Sequence, residues 1–491
     1  MASPEHAEGL DAARLAKVDG FVNATRTAVF VRRADRLLLI RPEKTLGVND
    51  TAAAIIEALY GRDRRSAGEV LAALAPKLGA EPARLLADAE KLLEAIGAMM
   101  REDFSARPLV RFVDFDRKRI QFPVLAEIAV TYACQNRCAF CYAASPYREG
   151  EHRVMTAGEV KTVMDKIMNE AHVPSLSFTG GEATLRPDLP ELVRHGADLG
   201  LRVNLITNGV RPGDLDYAKT LVDAGLASAQ VSIEATEAGL HDLLVGRKGS
   251  FEATIAGVRN FRKLGIHVHT NSTLCKANLD RAADLIRFVA RDLNLPTLSM
   301  NMLIRTGTAL TPPTEPVTYT EICRKLPELV EVAKAEGLRF VWYSPIPYCL
   351  VNPVLIGQGA KSCSCVSGIL SVDPAGNVLP CSSFGQGIGS LLSHSYAEIL
   401  DGPAARYWSQ REYVPPVCQG CADVDVCAGA CPLYWDAAGS FQEIPRAGAG
   451  DPAARGAWEA QRRQGQSFGV KAPGACARRE PGARAGREGG R

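Results

Sequence analysis

Cys134-Gln-Asn-Arg-Cys138-Ala-Phe-Cys141 packs three thiols into one short stretch of chain. Three thiolates at this spacing can hold three irons of a four-iron cluster and leave the fourth iron open. A zinc loop is the alternative, but zinc takes a fourth protein ligand and none follows within the loop. A second set comprises Cys363, Cys365, Cys381, Cys418, Cys421, Cys427, Cys431 and Cys476, with Cys349 just ahead of it. Groups of four thiolates suit zinc or an iron–sulfur cluster. Between the two sets stands Thr179-Gly180-Gly181-Glu182. Paired glycines let backbone come close to a ligand, and Glu182 adds a negative charge. Cys275 and Cys323 read as buried thiols.

The chain has 491 residues, 14 cysteines and a formal net charge of +2. A near-neutral chain has no basic field to make nucleic acid its main partner. No apolar run reaches the roughly 18 residues that a membrane span requires. Met1–Gly20 is polar with interspersed charges and lacks the apolar core of a secretory signal. The expectation is a cytoplasmic protein, where cysteines hold metals or do chemistry more often than they pair.

Alternating strands and helices must position these groups. Residues 122–345 offer six strands, Leu125–Thr131, Ser175–Phe178, Arg202–Ile206, Ser228–Ile233, His267–Thr273 and Thr297–Met302, with helices between them. Capping-box patterns at Thr156…Glu159 and Asp188…Glu191 open two of the helices. Six such units predict an α/β fold with a parallel sheet, open or curled into a barrel, and a site at the C-terminal strand ends. Residues 21–103 begin with the strands Thr27–Arg32 and Arg36–Ile40. Helical patterns follow over Asp50–Leu59, Ser66–Leu78 and Glu81–Met100, a small winged-helix-like unit. Residues 346–478 are rich in Cys, Gly and Pro, and such a segment needs metal staples. Residues 479–491 form an Arg/Gly/Glu-rich tail of disordered composition.

The Cys-x3-Cys-x2-Cys loop, with Phe140 before its last cysteine, resembles the motif of the radical S-adenosylmethionine (SAM) superfamily. The resemblance implies a partial (β/α)6 barrel and a [4Fe–4S] cluster on Cys134, Cys138 and Cys141. The open iron of that cluster binds SAM, whose cleavage makes a 5′-deoxyadenosyl radical. It assigns Gly180, Gly181 and Glu182 to SAM, although Ala183 stands where the family usually has proline. Ser232, in Val231-Ser232-Ile233-Glu234, would contact the ribose. The stretch His241–Phe251 carries Val245 where the family has an arginine, with Arg247 shifted.

The later cysteines resemble the SPASM extension, which binds one or two auxiliary iron–sulfur clusters. Carried over, Cys365, Cys381 and Cys431 surround one cluster, with Cys363 or Cys349 as fourth ligand. Cys418, Cys421, Cys427 and Cys476 hold the other.

Residues from Thr45 to Gly97 resemble the small peptide-binding protein of pyrroloquinoline quinone biosynthesis, a PqqD-like element that recognises leader peptides. Together these resemblances imply an oxidoreductase that modifies, and cross-links, a ribosomally made precursor peptide bearing a leader. Its electrons would come from a donor such as flavodoxin or ferredoxin. Tetrapyrroles, other small molecules and a protein such as a sulfatase are rival substrates. A metal-loaded binding protein without catalysis is a rival of another class. Tyr343, Tyr348 and Glu315 lie near strand ends, and nothing ranks one of them as a general base.

Overall fold

The computed structural model describes residues 10–40, 44–61, 63–101, 121–145, 153–310 and 315–464. Its N-terminal unit is built from helix α1 (Ala12–Thr25), strands β1 (Val29–Arg32), β2 (Leu37–Ile40) and β3 (Lys44–Gly47), and helices α2 (Asp50–Leu59), α3 (Ala67–Leu78) and α4 (Pro82–Met100). The strands form an antiparallel sheet in the order β1-β2-β3. Local signals set the helix starts. Asn49 caps α2, and a Ser66/Glu69 capping box opens α3, which stops at Gly79 in the left-handed region. Leu38, Ile56, Leu71, Leu86 and Ile96 are buried in its core.

Two corrections to the sequence reading fall here. The boundary at residue 21 cuts through α1, whose Val18 and Val22 belong to the same core. Few apolar residues with charges between them, such as Lys17 and Asp19, disguise that helix. Thr45–Gly47, read as a lead-in to α2, pairs with β2 as a third strand too short to show alternation.

The six expected strands are present as β4 (Leu125–Thr131), β5 (Ser175–Gly180), β6 (Arg202–Thr207), β7 (Ser228–Ser232), β8 (His267–Leu274) and β9 (Thr297–Met302). They pair in parallel and in sequence order. A seventh parallel strand, β10 (Arg339–Trp342), extends the β9 edge. On the other edge, β11 (Ile369–Val372) pairs with β4 in parallel. The antiparallel strands β12 (Asn377–Leu379) and β13 (Gly389–Ser390) follow it. The sheet order is open, with β10 and β13 at its ends. The cysteine-rich region therefore continues the barrel's own sheet, beyond the expected boundary at 346.

The two faces of this sheet differ in chemistry. Ala126, Ile128, Val130, Leu176, Phe178, Val203 and Leu205 are fully buried in the main core. The alternate positions are polar and bond one another along the sheet. Asn204 Nδ2 donates to Ser177 Oγ (3.1 Å), Ser228 Oγ to Asn204 Oδ1 (2.7 Å), Asn271 Nδ2 to Asn301 Oδ1 (2.8 Å), and Ser371 Oγ to Glu127 Oε1 (2.6 Å). Period-2 alternation thus places an apolar seam against the helices and a hydrogen-bonding lining on the other face. The Thr156/Glu159 capping box is present. The expected one at Asp188 is not, because both Asp188 carboxylate oxygens accept from Arg186.

Arg32 joins the N-terminal unit to the barrel. Its guanidinium is buried, pairs with buried Asp35 at 2.7 Å, and donates to the carbonyls of Pro123 (2.7 Å) and Phe122 (3.0 Å). Asp35 also accepts from Gln121 N at 3.2 Å. Phe122 and Pro123 lead directly into β4. Arg32→Met leaves the buried Asp35 carboxylate without its cation, with only Gln121 N still donating to it, and takes the donor from two carbonyls. It should cost about 3–5 kcal/mol, read as a lowered unfolding midpoint of the intact chain. Arg33→Met, which breaks only the exposed pair with Glu57, should change stability by less than about 1 kcal/mol in the same measurement.

Candidate functional site

The three cysteines lie on the loop that leaves β4. Backbone from two other strand ends pins this loop. Arg137 N donates to Val245 O (2.9 Å) and Ala139 N to Leu244 O (3.0 Å), the last two residues of the helix Ala238–Val245 that follows β7. From beyond β9, the Thr308 hydroxyl accepts from Cys141 N (2.7 Å) and donates to Cys138 O (2.9 Å). Gly246 and Gly307 have left-handed backbone. A Cβ there would stand 2.5 Å from Arg137 O and 2.0 Å from Cys141 O, so only glycine lets the chains approach this closely.

Burial pushes the Cys134 thiol up to about 12, and the charges of Glu182 and Cys141 add to the rise. Cys138 is driven up by burial, then by Cys141, Cys134 and Glu234. Burial and neighbouring charge thus disfavour the Cys134 and Cys138 thiolates, and an iron–sulfur cluster bound there would supply the offsetting positive charge. Asn208 Nδ2 donates to Cys134 Sγ at 3.8 Å. The donor set fits an iron–sulfur cluster. Among the described residues, no three Cys, His, Asp or Glu side chains are gathered tightly enough to hold a single metal ion.

Gly180 and Gly181 end β5. A Cβ at these positions would meet Thr131 O at 2.0 Å and Ala133 O at 2.4 Å. The close approach they permit is to the start of the cysteine loop, where Gly181 N and Glu182 N donate to Thr131 O and Ala133 O. Glu182 is 1% exposed. Its Oε1 accepts from Thr184 N, Thr184 Oγ1 and Thr207 Oγ1, while Oε2 accepts only from Asn208 N at 2.8 Å. Oε2 therefore keeps capacity for a further donor, such as an ammonium group. Burial raises the carboxyl and these hydrogen bonds lower it.

Ser232 is the half-buried last residue of β7, beside Asn271 of β8. Phe140 packs with Leu244, Cys275, Leu303 and Ala309. Arg247 is exposed, and its backbone N bonds to Asp242 O, closing the turn after the helix Ala238–Val245.

Three residues escaped sequence reasoning. Thr308 lies far along the chain and gives no signal. Asn208 and Glu234 sit in stretches that stand out in the sequence, yet neither is singled out there. Glu234 is 3% exposed, accepts from Thr273 N at 2.8 Å, and is raised to about 8 by burial.

The remaining cysteines divide into two groups. The Cys363 and Cys365 thiols share a hydrogen bond at 3.3 Å and lie in one cluster with Cys381 and Cys431. That hydrogen bond pulls Cys363 below the ordinary thiol range. Cys349 belongs elsewhere: it lines one cavity with Cys418, Cys421 and Cys427. Of the two candidates for the first set, the structure brings Cys363 to it. Cys476 lies outside the described residues. Tyr343 is exposed, Glu315 accepts from Lys276 N through its carbonyl, and the Tyr348 hydroxyl accepts from Lys361 N.

Comparison with known proteins matches residues 128–289 to the radical SAM superfamily, 363–422 to the SPASM iron–sulfur cluster-binding domain, and 36–98 to coenzyme PQQ synthesis protein D. The chain carries a radical SAM domain, a SPASM domain and a PqqD-like domain. It is 27% identical over 338 residues to the AdoMet-dependent heme synthase of Methanosarcina barkeri, covering 65% of this chain and 95% of that protein. It is 28% identical over 323 residues to the PqqA peptide cyclase of Bradyrhizobium diazoefficiens, covering 63% and 81%. Its fold is similar to that of SuiB from Streptococcus suis. The SuiB structure bound to the precursor peptide SuiA aligns with a TM-score of 0.60 at 14% identity, over 84% of this chain and 96% of SuiB. The SuiB structure bound to SAM aligns with a TM-score of 0.58 at 14% identity, over 83% and 97%. The radical SAM and SPASM domains imply SAM and iron–sulfur clusters as cofactors. No helix among the described residues is long and apolar enough to cross a membrane.

The Thr308 bridge is the least obvious support of the radical SAM loop. Thr308→Val removes the acceptor for Cys141 N and the donor to Cys138 O without changing side-chain shape. It should cost about 1–3 kcal/mol locally. Anaerobically reconstituted protein should show a diminished SAM-responsive cluster signal in electron paramagnetic resonance (EPR), with the SPASM signals unchanged.

Proposed function

We propose that this enzyme oxidatively modifies, and most simply cross-links, a ribosomally made precursor peptide. One observation carries the reading: a PqqD-like unit is bolted through Arg32 to Phe122 and Pro123, directly ahead of the strand that delivers the cysteine loop. A leader peptide would add to an edge of the small β1-β2-β3 sheet, where backbone groups supply hydrogen bonds and side-chain grooves supply choice. The core segment would then enter the polar lining of the barrel. Similarity to a PqqA peptide cyclase and to SuiB, whose structure holds a precursor peptide, supports the same reading.

In this proposal Cys134, Cys138 and Cys141 hold a [4Fe–4S] cluster, and the SPASM cysteines hold two auxiliary [4Fe–4S] clusters. When bound, cluster and SAM together supply a 5′-deoxyadenosyl radical able to take a hydrogen atom from the peptide. The chain's own residues orient and shield. Glu182 Oε2 would receive the SAM ammonium, Ser232 would contact the ribose, and Phe140 would close the apolar side. The polar lining bonds the peptide backbone and holds it against the reacting carbon. Electrons come from a flavodoxin or ferredoxin, and the cytoplasm is the fitting compartment.

A second reading, a tetrapyrrole substrate, draws on the similarity to AdoMet-dependent heme synthase. Anaerobic co-expression with the short peptides encoded nearby separates the two. A peptide that loses two hydrogens, or a multiple, in mass spectrometry supports the maturase. If every peptide returns unchanged and a porphyrin shifts its optical band on titration, the second reading stands instead. Cys138→Ala should abolish 5′-deoxyadenosine formation while the auxiliary clusters remain. Persistent SAM cleavage in that variant would contradict the assignment of the cysteine loop.

A further inference from the structure

Family spacing leaves the second auxiliary site with Cys418, Cys421 and Cys427 and takes its last ligand from far downstream. The structure offers a nearer donor. Cys349 follows β10 on a turn closed by Leu350 N and Val351 N on Pro347 O. That turn lies against the second cysteine group. Cys427 Sγ stands 3.9 Å from Ile346 O, and one cavity is lined by Cys349, Cys418, Cys421, Cys427 and Arg446.

Local backbone presents the other three thiols. Cys418 ends a 3-10 turn, Cys421 N bonds to Cys418 O at 3.1 Å, and Cys427 N bonds to Asp423 O at 2.8 Å. Arg446 Nη2 reaches Cys421 Sγ at 2.7 Å. A guanidinium at this point offsets the net negative charge of a cluster held by four thiolates.

The first set has no need of Cys349, because Cys363, Cys365, Cys381 and Cys431 already supply four thiols there.

We propose that Cys349 is the fourth thiolate of the second auxiliary cluster, closing it together with Cys418, Cys421 and Cys427. The inference rests on the iron–sulfur reading of the SPASM domain. It makes that cluster coordinatively saturated, with no open iron to bind a substrate group. It also ties the cluster to the rim of the barrel through the residues that follow β10.

The test uses the full chain with Cys134, Cys138 and Cys141 all changed to alanine, reconstituted anaerobically, so that only auxiliary clusters remain. Iron, sulfide and zinc are measured, with Mössbauer and EPR spectra. The parent should hold about eight irons, four per cluster. Cys349→Ala should lose between one and four of them, roughly, and its difference spectrum should match that of Cys421→Ala, not that of Cys365→Ala. Cys476→Ala should keep the parent's iron and spectrum.

Unchanged iron and spectra in Cys349→Ala would overturn the proposal. So would a Cys365-like difference, or the loss appearing in Cys476→Ala in its place. A measurement on the unsubstituted chain guards against misfolding of the variants. Cys349 should resist alkylation in the loaded protein and become reactive after chelation, and alkylation at equal rates in both states would overturn the assignment. Zinc in place of iron in the parent would instead show that the cluster reading itself fails, before any auxiliary cysteine is changed.

Discussion

Cys134, Cys138 and Cys141 must be held on one short loop, the first two against the cost of burying a thiolate. The rest of the structure serves that constraint. Burial and mutual repulsion make the loop unfavourable in isolation, so its backbone is fixed from outside. Val245 and Leu244 carbonyls hold one side, the Thr308 hydroxyl holds the other, and Gly180–Glu182 closes the base. The supports come from the connections that follow three different parallel strands, β5, β7 and β9. The barrel therefore acts as a jig, and in the proposed cluster iron would provide the positive charge that the protein leaves out.

The same sheet organises what surrounds the loop. Its apolar face is consumed by helix packing, which frees the alternate face to be polar and bonded to itself. β11 continues the sheet past β4 and carries the cysteine-rich region next to the barrel. On the N-terminal side, the buried Arg32–Asp35 pair fixes the PqqD-like unit to the segment entering β4. The PqqD-like unit, the three-cysteine loop and the SPASM region thus share one strand, β4, as their common reference.

The strongest sequence signals were local ones. The Cys-x3-Cys-x2-Cys loop, the six strands β4 to β9 and the capping box at Thr156 follow from short patterns whose physics is contained within a few residues. What stayed hidden depends on tertiary approach. Thr308 meets Cys141 across more than half the barrel, and no neighbour in sequence announces it. β3 and β10 have four residues each, too few to display a period. Helix α1 hides its two buried valines among charges. Which of Cys349 and Cys363 joins the first SPASM set could not be read from spacing, because both are close in sequence to it and only the fold separates them. Asp188 shows the converse error: a good capping pattern lost to the competing guanidinium of Arg186.

The central claim is that a radical made at Cys134, Cys138 and Cys141 acts on a peptide. Its most direct test is isotopic. The reconstituted enzyme, SAM and a strong reductant would be mixed with a precursor peptide carrying deuterium at its core residues, and the mass of the 5′-deoxyadenosine released would be measured. The account predicts deuterium in that product, together with a matching loss from the peptide. Abundant 5′-deoxyadenosine without deuterium, from every core residue labelled in turn, would contradict it.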